Sequence, residues 1–188
     1  EDIYHDPETR KNSITYRSNI ARVVEKLLQQ KDEKRAKDLM DLAMEKMPID
    51  KFGFYTLTEP FVSGYFKIGE NEKARKYWNQ VTTKHKEKLT YFSSLEIQRQ
   101  YYYIEDIITE IERYRAFVDL VILFEDKEIA EEKALEFNEY IQMFSHFYEG
   151  KEQDVNQDLL DEIEADEPDK NEVDSIESNT DLDELLQP

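Results

Sequence analysis

Three histidines, His5, His85 and His146, are the side chains best suited to acid–base or metal chemistry, and none stands at i, i+3 or i+4 from another. A zinc site needs several donors converging on one point, and no spacing here brings them together. His85 with nearby Glu87, and His146 with Glu149, are therefore expected as surface groups. Asp154-Val155-Asn156-Gln157-Asp158 imitates the opening of a calcium loop. Leu159 fills the position that requires Gly, however, and Ala165 the position of the bidentate Glu. With no cysteine, the chain has no disulfide, thiolate ligand or cysteine nucleophile, and its compartment is left open. No phosphate loop, nucleophile elbow or metalloprotease helix occurs. Neither a metal nor a cofactor is expected.

Carboxylates are abundant, so a single pair says little. Glu105, Glu112 and Asp119 recur at heptad spacing, and Asp119 lies inside the apolar run AFVDLVILF. A buried carboxylate needs a partner or titrates high. A bond to Arg or Tyr, or an exposed edge position, is the expectation for Asp119. A cleft acid at Asp119 or Glu105 defines the enzymatic alternative. The cluster Arg99, Gln100, Tyr101, Tyr102, Tyr103 joins Arg with amphipathic rings, the types enriched in contact surfaces. Three consecutive Tyr on a helix cannot all face a core. Arg99, Tyr101, Tyr102 and Tyr103 are thus a candidate contact surface.

These residues must be positioned by helices. Of 188 residues, 39 % are hydrophobic and 37 % charged, with only 4 Gly and 5 Pro, which suits an all-α chain and argues against a turn-rich sandwich or barrel. No run approaches the ~18 apolar residues of a membrane span. A net charge of −19 and a pI near 4.6 argue against nucleic acid and anionic membrane as main partners. The chain opens on Glu without Met and is expected to be a piece of a longer protein.

About six helices are expected in residues 1–150. The first starts at Asp6-Pro7 and carries Tyr16, Ile20, Val23, Val24, Leu27 and Leu28 on one face. The second follows Asp32, turns Ala36, Leu39, Met40, Ala43 and Met47 inward, and stops at Pro48. The third carries Phe61, Val62, Tyr65, Phe66 and Ile68, and Gly69 ends it. Asn71 is the expected cap of the fourth, with Ala74, Tyr77, Trp78 and Val81 inward. Ser93-Ser94-Leu95-Glu96 has the form of a capping box opening one long fifth helix, most buried over Ala116 to Phe124. The sixth starts near Asp126, packs through Ala130, Ala134, Phe137, Ile141, Phe144 and Tyr148, and closes at Gly150. Short turns make these helices antiparallel hairpins.

Residues 151–188 hold 15 Asp/Glu and 2 Lys, a net of −13, leaving −6 for residues 1–150. Without aromatics and with little apolar content, this acidic tail is expected to be largely disordered. Leu159, Leu160 and Ile163, and later Leu182, Leu185 and Leu186, are two short apolar clusters suited to a brief helix on a partner or on the domain itself.

Aligning Ala36 with Ala74 superimposes two hairpins. Tyr65, Gly69, Ala74 and Trp78 stand at tetratricopeptide spacings. Leu27, Ala36, Ala43 and Pro48 follow them, with Lys31 at the position of the turn Gly. The offset of 38 residues places a short insertion around Asp50–Phe54. The last two helices make a looser third unit that caps the array. First helices of stacked hairpins line a concave face that holds peptides or other domains. By alignment that face comprises Ala21, Glu25 and Leu28 in the first repeat and Glu59, Ser63, Phe66 and Lys67 in the second.

The motif order is narrower than a generic repeat: Tyr4-His5-Asp6, Tyr16-Arg17 followed by Ala21, EKRAKDLMDLAMEKMP, a Pro60 helix, YFKIGENEKA, Tyr91-Phe92 and AEEKALEFNEYIQMF. Over roughly residues 4–148 it resembles the C-terminal soluble region of a bacterial family of multi-spanning membrane proteins. That family is like the protein O-mannosyltransferases, with a lipid-linked-sugar glycosyltransferase membrane fold. The resemblance implies a membrane-embedded parent whose acidic catalytic loop lies N-terminal to this chain, and it carries no catalytic residue onto it. It also implies a domain outside the membrane, on the extracytoplasmic (periplasmic) side, touching membrane only through the missing N-terminal part. A non-catalytic interaction or scaffold domain with a protein or peptide partner is therefore expected, the acidic tail being a possible second contact. The alternatives are a free, soluble, cytoplasmic tetratricopeptide-type adaptor and a small helical enzyme using buried acids.

Overall fold

The computed structural model describes residues 7–53 and 55–147. Among the described residues the chain is all-helical, with eight α-helices, two 3-10 turns and no strand. The helices are α1 (Pro7–Gln29), α2 (Glu33–Lys46), α3 (Ile49–Phe52), α4 (Glu59–Lys67), α5 (Asn71–Ser93), α6 (Ile97–Tyr102), α7 (Ile104–Phe124) and α8 (Lys127–Gln142). The acidic tail expected over 151–188, with Tyr148 and Gly150, lies outside the described residues.

Three hairpins, α1/α2, α4/α5 and α7/α8, pack side by side, with α5 against α7. The first two turns close identically. Asp32 N–H donates to Leu27 O at 2.9 Å and Lys31 N–H to Leu28 O at 3.0 Å; Glu70 N–H donates to Tyr65 O at 2.9 Å and Gly69 N–H to Phe66 O at 3.0 Å. These paired bonds satisfy the last carbonyls of each helix around a left-handed residue. Ala36, Ala43 and Ala74 are fully buried, where larger side chains would force the helices apart. The stretch read as an insertion, Asp50–Phe54, overlaps α3, and a 3-10 turn, Tyr55–Thr58, follows it.

The inward stripe of α1 runs through Ser13, Arg17 and Val24 rather than through Tyr16 and Val23, which are 63 % and 48 % exposed. The reason is Arg17. Its guanidinium is fully buried and donates to Met47 O at 2.5 Å and Gly53 O at 2.9 Å, taking the C-cap carbonyls of α2 and α3. Burial lowers its pKa to about 10.

The long fifth helix is broken. Ser93 and Ser94 hydroxyls donate backwards to Thr90 O and Tyr91 O, closing α5 instead of capping a following helix. Buried Gln100 holds the break, its amide donating to Ser93 O at 3.2 Å and Leu95 O at 2.8 Å. Within α7, Phe117, Val118, Leu120 and Val121 are buried, while Leu123 is 63 % exposed, so the apolar run faces inward on one side only. Asn71 is the first residue of α5, and Glu70 takes the cap position ahead of it without a side-chain capping bond.

Two cores result. One joins α1, α2, α4, the start of α5 and the end of α7 around Met40, Phe61, Tyr65, Trp78 and Phe117. The other joins the end of α5, the start of α7 and α8 around Leu89, Ile107, Tyr114, Phe137 and Phe144. Trp78 Nε1–H donates to Phe117 O at 2.6 Å, locking α5 to α7. Asp41 knots α2 to α4 and α5, accepting from Tyr65 Oη at 2.8 Å, Lys37 at 2.8 Å and Lys73 at 2.7 Å. Burial pushes the Asp41 carboxyl up, but the bonds from Lys37, Lys73 and Tyr65 outweigh it and hold the group at about 2.

Candidate functional site

Between α1 and α4 lies a groove of about 450 Å³. Ala21, Val24 and Leu28 of α1, with Leu57 and Pro60, give it an apolar floor. Ser18, Arg22 and Glu25 rim it from α1, and Glu59, Ser63 and Lys67 from α4. The rims carry both signs of charge. Burial raises the pKa of Glu59, and the charge of Lys67 opposes the rise.

Six of the seven residues that the repeat alignment assigns to the concave face line this groove: Ala21, Glu25, Leu28, Glu59, Ser63 and Lys67. Phe66 does not. Its ring is buried and stacks on Phe124 at 5.2 Å, because the end of α7 covers that side of α4. Phe66 instead borders a second hollow of about 330 Å³ with Trp78, Val121 and Ile129.

The tyrosines at the end of α6 and just after it form a separate surface. Tyr101, Tyr102 and Tyr103 are 51 %, 81 % and 37 % exposed, and Arg99 is exposed beside them. Ring contacts run from Tyr102 to Tyr103 at 5.0 Å, to Phe92 at 5.9 Å and on to Tyr91 at 5.7 Å.

His85 is fully buried, contrary to its expected surface place. Its Nδ1–H donates to Glu110 Oε1 at 2.7 Å, and Lys88 donates to Glu110 Oε2 at 2.8 Å. Burial pushes the Glu110 carboxyl up, but the bonds from His85 and Lys88 outweigh it and hold the carboxyl well below the ordinary range. The His85 ring also packs on Tyr114 and Phe117, placing this polar pair where the two cores meet. Both residues sit on apolar stripes: Trp78, Val81, His85 and Leu89 on α5, and Ile107, Glu110, Ile111 and Tyr114 on α7. Continuation of the stripe through each polar residue is the sequence signal of their burial.

No family model, curated protein or solved structure matches this chain. The chemistry of the groove is that of its own residues. The groove joins an apolar floor to rims of mixed charge, and its lining residues hold no His. Glu105, Glu112 and Asp119 are exposed, Asp119 lying 3.9 Å from Arg115, and none of the three lines either hollow. The buried acid of α7 is Glu110, which lies where the two cores meet and lines neither hollow. Among the described residues, no group of three His, Cys, Asp or Glu is placed to hold a metal ion, and no helix is long and apolar enough to cross a membrane.

Proposed function

We propose that the helical part of this chain is a tetratricopeptide-like, non-catalytic interaction domain that holds a segment of a protein partner in the α1–α4 groove. The observation that carries this reading is the meeting in one hollow of six residues picked out by repeat alignment. The matched left-handed turns at Lys31 and Gly69 and the buried alanines support the repeat assignment. An apolar floor supplies area for a partner side chain, and rims of both signs supply register rather than attraction to one strongly charged ligand. The family resemblance adds the context: a scaffold domain on the extracytoplasmic side of a membrane glycosyltransferase-like parent.

Peptides selected from a random library on the full chain test the groove. Lys67→Glu and Glu25→Arg, both on exposed rim positions, are expected to weaken the selected peptides about tenfold, ~1.4 kcal/mol. Leu135→Arg, on α8, is expected to leave them unchanged. Peptides sensitive to Leu135→Arg but not to the rim changes would refute the groove. The parent gene tests the context. Upstream hydrophobic spans are expected, and their absence would favour the free adaptor.

A further inference from the structure

The α6 patch is the largest run of exposed rings among the described residues. Tyr91, Ile97 and Tyr102 are 60 %, 60 % and 81 % exposed in a chain otherwise rich in charge. Tyr91 and Tyr102 belong to one chain of ring contacts through Phe92 and Tyr103, and Ile97 stands one helical turn before Tyr101 on α6. Exposed apolar surface of this kind marks an interaction site. The described chain also ends inside it. Phe147, the last described residue, packs its ring 5.1 Å from Tyr101, and His146 lies 6.0 Å from the same ring.

The residues C-terminal to Phe147 narrow the occupant. Between Lys151 and Asp158 the only apolar residue is Val155; then Leu159, Leu160 and Ile163 stand at helical i, i+1, i+4 spacing. The stretch from Phe147 to Leu159 is twelve residues, enough to reach up to ~40 Å, so the leucines reach every part of the patch. Asp158, Asp161, Glu162 and Glu164 surround them, and Arg99 is the exposed cation of α6. A tethered segment meets its site at an effective concentration in the ~mM range, so three apolar side chains are sufficient where a free peptide of that size would not be.

We infer that the segment around Leu159, Leu160 and Ile163 docks in cis on the Tyr91–Ile97–Tyr102 patch. The acidic remainder of the tail is then anchored beside α6. This docking does not depend on the groove reading.

Because the chain has no cysteine, Glu162→Cys gives a single attachment point for a nitroxide spin label in the full chain. Amide signals of Tyr91, Ile97 and Tyr102 are expected to lose intensity and to recover on reduction of the label. Replacing Leu159, Leu160 and Ile163 by Ser is expected to abolish the loss. These three positions lie outside the described residues, and an unchanged amide spectrum of residues 7–147 in the Ser variant checks that the helices still fold. Three results would overturn the docking: no loss at the patch, loss confined to Ala21, Glu25 and Ser63, or loss appearing only between labelled and unlabelled copies. The second would place the segment in the groove, and the third would assign the patch to a second copy of the chain.

Discussion

Lys31 and Gly69 hold the same left-handed backbone position in two successive hairpin turns, with φ of 58° and 74°. Gly adopts it without penalty, whereas the Cβ of Lys31 meets its own carbonyl at a cost of about 1–2 kcal/mol. Lys31→Gly is expected to stabilise the chain by about 1 kcal/mol, the greater freedom of unfolded Gly offsetting part of the gain. A Cβ at Gly69 meets nothing within 4 Å, so Gly69→Ala suffers only the conformational penalty and is expected to destabilise by about 1 kcal/mol. Urea unfolding of both variants reads the two signs. Equal signs would mean that the turns are not equivalent.

Gly64 of α4 faces Met40 of α2. A Cβ there would fall 2.5 Å from Met40 Sδ, and Met40 is fully buried. Ala gains about 1 kcal/mol in helix propensity over Gly, while overpacking a filled core costs about 1–3 kcal/mol. Gly64→Ala is expected to destabilise by about 1 kcal/mol net. Met40→Ala removes the obstruction, so the double variant is expected to be more stable than the two single losses added together. A double-mutant cycle from denaturant midpoints measures that coupling. Simple additivity would show that Met40 already has room to move.

The first two hairpins are legible locally, because Ala36 and Ala43 stand two helical turns apart on α2, and Ala74 follows the Gly69 turn as Ala36 follows the Lys31 turn. Phe66 escapes such a reading because its cover, Phe124, arrives from the third hairpin, and a two-repeat alignment contains no information about that. Arg17 stands in the apolar stripe of α1, but its acceptors are main-chain carbonyls, which no side-chain pattern announces. Sequence proximity pairs His85 with Glu87, yet residues at i and i+2 point to different sides of a helix. The partner of His85 is Glu110, 25 residues away on another helix.

Glu110 also governs the acid limb of stability. A carboxylate held below its unfolded pKa contributes stability that is complete above the unfolded value and disappears as pH falls toward the folded one. Glu110 is held low by His85 and Lys88, and Asp41 is held at about 2, so stability is expected to fall as pH drops below about 5. Glu110→Gln is expected to lose about 1–3 kcal/mol at neutral pH, since Gln cannot satisfy both donors as an anion. The gap from the unaltered chain is expected to narrow at about pH 3, where Glu is protonated in the unfolded state. Urea midpoints across that range check the convergence. A gap independent of pH would show that the charge of Glu110 contributes nothing.

Arg17 gives the sharpest distinction between a charge and a shape. Two arms of one planar group reach two carbonyls that end different helices, so the guanidinium fixes α3 against α1. Lys brings a single ammonium, which cannot span both acceptors and is more strongly hydrated than a guanidinium. Arg17→Lys is therefore expected to destabilise nearly as much as Arg17→Met. The loss should be at least about 3 kcal/mol, given two bonds to a charged donor at ~1.5–3 kcal/mol each. Backbone amides of Phe52 and Gly53, which close α3 onto Pro48 O and Ile49 O, are expected to exchange faster in both variants. If Arg17→Lys retained wild-type stability while Arg17→Met did not, a buried positive charge alone would suffice and the two-armed bridge would be incidental.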